Sequence, residues 1–495
     1  MLAAVVTAKK LGDAAKEIKK SKEADLIEIR LDYLKSSQYK NIQRAIKKSK
    51  KHFIITCRKK NEGGFFEGSE KQRLKIIEKF MDIPADYADI EYSSDKESIK
   101  NLILNKKKTK VIISYHNFRR IPDNITSIYN EIKKLKPDLI KIVANANSVA
   151  DNFKIFDIIK TAKRENKEII SFCMGSYGQF SRILSIILGS RITYASVGKG
   201  KESAGGQLTT KEMIDYYRIK ELNNNTQIFG LIGNPVEHSW SHIIHNAAFK
   251  KMKLNAVYLK FRVDRLEEFI VYFKKLSIGG FSVTTPHKIA IMRYLDEIDK
   301  KSEEIGAVNT IVARDGKLIG YNTDCDGAMQ ALKAKTKVNG KKIVLLGAGG
   351  SARAVSYGLK ESGAEIVILN RNLENARLLA KQFGCDYGSL DDLKKFYYDV
   401  LINTTLIGMY PDTGYSPIKK DLILKGSVVF DIVFNPFKTK LLQDAEKVGC
   451  KIINGLDMLI NGAALQFKLW TNRNAPRDLM EKSVLINLKD DSHQN

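Results

Sequence analysis

Two stretches of this 495-residue chain hold residue types at spacings that could do chemistry. The first is Lys342-Ile343-Val344-Leu345-Leu346-Gly347-Ala348-Gly349-Gly350-Ser351-Ala352-Arg353-Ala354, where an apolar run stops at glycines and an Ala-rich helical pattern begins. A buried parallel strand, a tight turn and a helix N-terminus read this way. The glycines admit a close backbone approach, and free N–H groups with the helix dipole favour a pyrophosphate. Gly347, Ala348, Gly349, Gly350, Ser351 and Ala352 form this expected phosphate turn. A second apolar run, 365–369, ends in Asn370-Arg371. That is about 20 residues past the glycines, where NAD sites place a carboxylate for the ribose 2′-hydroxyl. Arg371 can instead grip a 2′-phosphate bidentately. The pattern predicts NADP(H) and hydride transfer. A glycine-rich turn in another α/β protein is the plainer alternative, because the fingerprint alone is weak.

The second stretch is Leu139-Ile140-Lys141-Ile142-Val143. A lysine inside an apolar run faces a low dielectric, which disfavours the ammonium and leaves an amine usable as a nucleophile. His116, on the preceding apolar run, could move protons near neutral pH. Taken singly, Lys141 also reads as a salt-bridged lysine and His116 as a satisfied core histidine.

The elements that must position these residues alternate in type. Apolar runs at 3–7, 25–31, 52–57, 87–91, 111–115, 139–143, 168–173 and 192–197 are separated by helical patterns such as 70–81 and 121–134. Eight β/α units in about 220 residues predict an α/β fold with an N-terminal (β/α)8 TIM barrel, an open doubly wound sheet being the alternative. Polar residues fall at the C-terminal strand ends, where barrels build their sites: Glu28, Arg30, Asp32, Arg58, Glu62, His116, Lys141, Arg182, then a loop carrying Ser203 and Gln207. The polar connector 221–226 marks a boundary, and a Lys-rich stretch near 333–340 a further seam. The expected domains are 1–221 for the barrel, 226–332 for an α/β substrate domain completed by C-terminal helices over 456–488, and 333–455 for a Rossmann NADP domain. The tail 489–495 is expected to fray.

Composition narrows the classes. Hydrophobic residues make up 43% of the chain, and no run reaches the 18 or so apolar residues of a membrane span. The opening Met1–Lys10 is too short an apolar run, with the wrong charge order, for a secretory signal. The five scattered cysteines form no CxxC pair, which argues against a disulfide framework or a metal site and for the cytoplasm. The net charge of +27 invites a nucleic-acid reading, yet the lysines are dispersed and lack interleaved aromatics. A solvated basic surface that draws in anionic small molecules is expected, with no nucleic acid or membrane partner and a monomer or homodimer.

The strand-end residues occur as Glu28-Ile29-Arg30-Leu31-Asp32, Arg58 with Glu62-Gly63-Gly64, Ser114-Tyr115-His116, Lys141, Met174-Gly175 with Ser181-Arg182, and Ser203 with Gln207. In this order they resemble type I 3-dehydroquinate dehydratase over the whole first domain. The resemblance implies that Lys141 forms an imine with the substrate ketone, that His116 relays protons, and that water leaves to give 3-dehydroshikimate. Arg182 would hold the carboxylate, Glu28, Arg30, Arg58 and Glu62 would line the substrate site, and Ser203 with Gln207 would form a lid. Gly205 stands where that family usually has Pro.

Four clusters precede the glycine fingerprint: Gly233-Asn234-Pro235-Val236-Glu237-His238-Ser239-Trp240-Ser241, Ser282-Val283-Thr284-Thr285-Pro286-His287-Lys288, Gly306-Ala307-Val308-Asn309-Thr310 and Gly320-Tyr321-Asn322-Thr323-Asp324. With the fingerprint they resemble shikimate dehydrogenase over about 227–470. The resemblance implies Lys288 and Asp324 as the catalytic pair, Ser239 and Ser241 on the substrate carboxylate, and Thr284 and Asn309 on its hydroxyls. Asn403, Thr404, Thr405, Asp431 and Val433 would border the nicotinamide. Three departures stand out: Phe434 for a Tyr, Gly462 for a Gln and His242 for a Pro. The two resemblances imply consecutive steps of the shikimate pathway on one chain, since the first product is the second substrate. A second half preferring quinate, or a basic nucleic-acid-binding protein on an inherited enzyme scaffold, are the alternatives.

Overall fold

The protein, described as a computed structural model over residues 1–273, 276 and 278–492, divides into two compact units. They are Met1–Thr226 with Phe261–Leu276, and Gln227–Lys260 with Ser277–Asn495.

The first unit carries eight parallel strands: β1 Leu2–Val6, β2 Leu26–Arg30, β3 His52–Thr56, β4 Tyr87–Glu91, β5 Lys110–Asn117, β6 Leu139–Asn145, β7 Ile169–Met174 and β8 Thr193–Ser196. Their order is β7-β6-β5-β4-β3-β2-β1-β8. Between β7 and β8 no ladder appears among the described residues. The Arg191 N–H donates to Ile169 O at 2.7 Å there, and the barrel is nearly closed. Helices cover the outer face, so the strands are apolar on both faces and read as Ile/Val-rich runs. The helix Glu70–Met81 starts at a reciprocal cap, in which Ser69 Oγ accepts from Gln72 N–H and Gln72 Oε1 from Ser69 N–H. The helix expected over 121–134 starts only at Ile125. Pro122 explains the delay, because the residue before a proline is pushed out of helical geometry.

The second unit holds two sheets. A mixed sheet comprises β9 Gln227–Gly233, β10 Ala256–Arg262, β11 Ile278–Val283, β12 Glu297–Ile298, β13 Thr310–Arg314 and β14 Lys317–Tyr321, in the order β10-β9-β11-β13-β14-β12. The other comprises β15 Lys342–Leu346, β16 Glu365–Leu369, β17 Asp386–Gly388, β18 Val400–Asn403, β19 Val428–Asp431 and β20 Lys451–Ile453. Its order is β17-β16-β15-β18-β19-β20, all parallel, which is the doubly wound arrangement. The helix Gly455–Thr471 runs back to the mixed sheet, where Trp470 Nε1 donates to Ile311 O at 3.0 Å. The final helix, Arg477–Ser492, is helical to its end, and residues 493–495 of the tail expected to fray lie outside the described residues. No helix among the described residues is long and apolar enough to cross a membrane.

One buried charge ties the barrel wall to its helices. Arg73 is 1% exposed and its guanidinium is held by Glu70, Glu91, Ser94 Oγ and the Cys57 carbonyl. Arg73→Met leaves Glu91 under-compensated in the interior, with an expected loss of about 3–5 kcal/mol. Denaturant unfolding would show an earlier barrel transition with that of the second unit unchanged. A loss below about 1 kcal/mol would place Arg73 among charges the fold can spare.

Two candidate active sites

In the barrel, alternation along the strands turns Glu28 and Arg30 of β2, Asp89 and Glu91 of β4, Ser114 and His116 of β5 and Lys141 of β6 to the barrel interior. Parallel register sets their heights, with Thr56 opposite Asp89, Glu91 opposite Ser114 and Ser114 opposite Lys141. Lys141 Nζ donates to Asp89 Oδ2 at 2.8 Å and lies 3.9 Å from Glu28 Oε1. Its stem runs beneath an aromatic face, Nζ being 4.2 Å from the Tyr194 ring centroid. The salt-bridged reading of Lys141 is therefore real, and compatible with a reactive role. A buried amine that spends part of a cycle charged needs a fixed counter-ion. Asp89 also accepts from Arg58 Nη2 at 2.9 Å and Ser114 Oγ at 2.6 Å. Burial alone would raise its carboxyl, but the Arg58 and Lys141 charges hold it well below the usual range.

His116 Nδ1 sits 3.2 Å from Glu62 Oε2, and Ser93 Oγ donates to Glu62 Oε1 at 2.6 Å. Burial, then the Arg58 and Lys141 charges, push His116 well below its ordinary value and keep the imidazole neutral. Burial pushes Glu62 up to about 7, against the pull of Arg58. The turn that delivers Glu62 needs glycine: Gly63 has φ +76°, and a Cβ there would sit 2.3 Å from the Phe118 ring. Arg30 is fixed by two bonds to Asp32, at 2.9 and 2.7 Å.

Arg182 is 1% exposed. Its Nη2 donates to the Gly205 carbonyl at 3.2 Å, its Nε has no hydrogen-bond partner among the described residues, and burial lowers it to about 10. An unsatisfied guanidinium edge on a cavity wall is suited to a carboxylate. Ser203 N–H and Oγ both donate to Gln207 Oε1, so the lid loop is internally tied, and Gly205 O also accepts from Gly175 N–H at 3.0 Å. One cavity is lined by Glu28, Arg30, Arg58, Glu62, His116, Lys141, Arg182, Ser203 and Gln207. Every barrel residue proposed from the sequence as catalytic or substrate-binding meets there. The sequence reading quoted Ser114 beside His116 without a role and missed Asp89, Glu91 and Tyr194, although acidic residues at the end of the apolar run 87–91 were a visible signal.

In the second unit Lys288 Nζ donates to Asp324 Oδ2 at 2.5 Å and to Ser351 Oγ at 3.1 Å. Asn309 Nδ2 donates to Asp324 Oδ1 at 2.8 Å, and Asn322 Oδ1 accepts from the Asp324 N–H at 3.1 Å. Ser239 Oγ donates to Ser241 Oγ at 3.1 Å at the start of the helix Ser241–Lys251. Thr284 follows β11, and its N–H donates to Ile232 O at 2.9 Å. Gln466, missed from the sequence, is a hub: its Oε1 accepts from Ser282 Oγ at 2.9 Å and its Nε2 donates to Thr310 Oγ1 at 3.1 Å. It lies four residues beyond Gly462, hence on the same helix face, and that spacing was the available signal. Phe434 packs edge-on to Trp240 at 6.2 Å, and His242 is buried and driven well below its ordinary value by desolvation.

The nucleotide turn meets the chemistry of a dinucleotide. Gly347 has φ +112°, and a Cβ there would crowd Thr404 Oγ1 at 2.7 Å, whereas beside Gly349 lies open space. The helix Gly350–Glu361 has no side-chain cap, so its first N–H groups remain available for phosphate. Arg371 is exposed beyond β16, next to Asn370. Asn403, Thr404 and Thr405 end β18 and Asp431 ends β19, beside the point where strand order reverses from β15 to β18. Asp431 accepts from Asn403 Nδ2 and Val433 N–H, both at 3.0 Å, and from Thr439 Oγ1 at 2.6 Å. Burial still pushes it up to about 6.

A lysine-centred barrel cavity joined to a doubly wound nucleotide-binding unit defines a two-enzyme fusion. Residues 2–224 match type I 3-dehydroquinase, 231–311 the shikimate dehydrogenase substrate binding domain, 329–408 shikimate/quinate 5-dehydrogenase, and 455–485 the shikimate 5′-dehydrogenase C-terminal domain. The chloroplastic bifunctional 3-dehydroquinate dehydratase/shikimate dehydrogenase of Arabidopsis thaliana is 38% identical over 92% of this chain and 79% of its own length. The NADP(+) shikimate dehydrogenase of Methanocaldococcus jannaschii is 47% identical over 53% of this chain and 98% of its own. A solved shikimate dehydrogenase in complex with NADP+ aligns at 46% identity with a TM-score of 0.51, covering 54% of this chain and 97% of that one. The chain belongs to the bifunctional 3-dehydroquinate dehydratase/shikimate dehydrogenase family.

Two outcomes follow from this geometry. Above pH 7 or so the ionised Glu62 accepts from His116 Nδ1–H, which leaves Nε2 bare as a base; below it the protonated carboxyl donates and that lone pair is lost. Dehydratase kcat/KM is therefore expected to fall as pH drops through about 7, with this inflection absent in Glu62→Gln. An identical inflection in the variant assigns the titration to another group. For the cofactor, Arg371→Ala is expected to raise the KM for NADPH far more than that for NADH, removing a preference of about 1.5–3 kcal/mol. Equal use of both cofactors by the unaltered enzyme would contradict the assignment.

Proposed function

We propose that this chain dehydrates 3-dehydroquinate to 3-dehydroshikimate in its barrel and reduces that product to shikimate in its second unit. The observation that carries the reading is the pairing of two lysines with two carboxylates in different settings. Lys141 and Asp89 are 5% and 0% exposed, while Lys288 and Asp324 are 14% and 18% exposed beside the nucleotide turn.

In the barrel, the Lys141 amine attacks the substrate ketone, a C–N bond forms, and the carbonyl oxygen leaves as water. Asp89 and Glu28 hold Nζ in place. The imine acidifies the adjacent C–H, and neutral His116, oriented by Glu62, takes that proton. The neighbouring hydroxyl departs as water with a returned proton, and hydrolysis of the imine restores the amine. Arg182 supports the substrate carboxylate with its unpaired edge. Arg30 and Arg58, fixed by Asp32 and by Asp89 with Glu91, offer donors to the ring hydroxyls.

In the second unit, bound NADPH supplies a hydride to the carbonyl carbon. Lys288 donates a proton to the carbonyl oxygen as negative charge develops, and Asp324 keeps the ammonium aimed there. Ser239 and Ser241 receive the substrate carboxylate, with Thr284 and Asn309 on its hydroxyls. Domain limits of 1–221, 226–332 with 456–488, and 333–455 suit these roles. The five cysteines are unpaired, which supports work in a reducing cytoplasm. The ligands are small anions, and a basic surface of net charge +27 favours their approach.

Supplying the protein with 3-dehydroquinate and NADPH tests both halves at once. Shikimate is expected to accumulate as NADPH is consumed. Lys141→Ala should stop this from dehydroquinate but not from 3-dehydroshikimate, and borohydride should trap a covalent adduct on Lys141 in the unaltered protein. Lys288→Ala is expected to lower hydride turnover by about 10²–10⁴-fold and leave dehydration intact. An adduct on another lysine refutes the first role, and a change confined to KM refutes the second. Faster oxidation of quinate than of shikimate would reassign the second substrate.

A further inference from the structure

Lys288 has two acceptors, and only one of them belongs to the catalytic pair. The other, Ser351 Oγ at 3.1 Å, is the second residue of the helix Gly350–Glu361, inside the turn that suits the cofactor phosphates. The lysine stem lies directly on that turn. A Cβ at Gly350 would come within 3.1 Å of Lys288 Cβ and 3.2 Å of its Cδ. The backbone beneath is fixed as well, since Lys288 O accepts from Val308 N–H at 2.8 Å. Ser351 Oγ thus accepts from the proton donor, which leaves its hydroxyl hydrogen able to donate to a ligand in the turn.

We propose that Ser351 is a positioning residue that couples occupancy of the nucleotide turn to the placement of the Lys288 ammonium. The inference rests on the proton-donor reading of Lys288. A phosphate in the turn is the strongest acceptor near Ser351 and draws its hydroxyl proton. Donating that proton makes the oxygen a better acceptor and fixes the rotamer in which it faces Lys288. Lys288 Nζ is then held between Ser351 and Asp324 before the substrate arrives, so less freedom is lost when its carbonyl oxygen docks. Cofactor and substrate therefore tighten each other, and by linkage the factor is the same in both directions.

Calorimetric titration of shikimate into the protein, with and without saturating NADPH, reads this coupling without turnover, because both are the reduced partners and no hydride can pass between them. The unaltered protein is expected to bind shikimate about fivefold or more tightly with NADPH present, within the common range for coupled sites. In Ser351→Ala the ratio should fall close to one, and Ser351→Thr, which keeps the hydroxyl, should restore it. An undiminished ratio in Ser351→Ala, or no coupling in the unaltered protein, overturns the proposal. NADPH binding lost in Ser351→Ala but kept in Ser351→Thr with a ratio of one makes the hydroxyl a phosphate ligand only, and also overturns it. If Lys288→Ala retains hydride turnover, the reading of Lys288 fails instead, which separates the two failures.

Discussion

A fully buried carboxylate sets the terms for the barrel. Asp89 is 0% exposed and accepts from Lys141, Arg58 and Ser114. Arg58 passes the compensation to Glu91 at 3.3 Å, Glu91 pairs with Arg73, and Arg73 reaches Glu70 on the outer helix. Charges alternate in sign from the reacting amine to the barrel wall. A buried ion without its partner costs several kcal/mol, so no member is independently replaceable. The substrate-facing arginines are stiff for the same reason: their other edges are already committed to carboxylates.

In the proposed chemistry the two lysines serve opposite ends of an acid–base cycle. Lys141 must act as an amine, and its partner is dry, shared with Arg58 and therefore divided between two cations. Lys288 must act as an ammonium, and among the described residues Asp324 serves no second cation; its other oxygen accepts from the neutral Asn309 amide. A carboxylate divided between two cations stabilises either one less than an undivided carboxylate would. The distinction lies in the neighbours, which neither lysine's flanking sequence reveals.

Periodicity and strand-end polarity made the architecture legible. Eight apolar runs alternating with helical patterns yielded the barrel, and the glycine turn with Arg371 marked the nucleotide domain. Helix starts were less visible where proline intervened, as at Ile125. The charged side chains that line the barrel cavity were legible because they fall at or near strand ends, where no packing reason calls for charge. Those holding them were not. Asp89 looks like one more polar residue in Tyr87–Glu91, and Gln466 like a polar residue in an apolar helix, because the partner of each is more than 50 residues away in sequence for Lys141 and more than 150 for Thr310.

The departures at Phe434, Gly462 and His242 fall where the second site is best supported from behind. Gly462 faces Thr323, and a Cβ there would meet the Thr323 carbonyl oxygen at 3.6 Å, an ordinary contact, so no steric demand fixes glycine. One turn further on, the Gln466 amide is consumed by Ser282 and Thr310, and Thr310 Oγ1 in turn donates to Asn309 Oδ1 at 2.7 Å. Asn309 then braces Asp324. The Gln466 amide, through Thr310, thus orders Asn309 and Asp324, the residues proposed to meet the substrate. A direct hydrogen bond contributes only about 0.5–1.5 kcal/mol net, whereas leaving a buried carboxylate or amide unsatisfied costs more. Rigid support of Asp324 therefore weighs more in this site than any single contact the three departures remove.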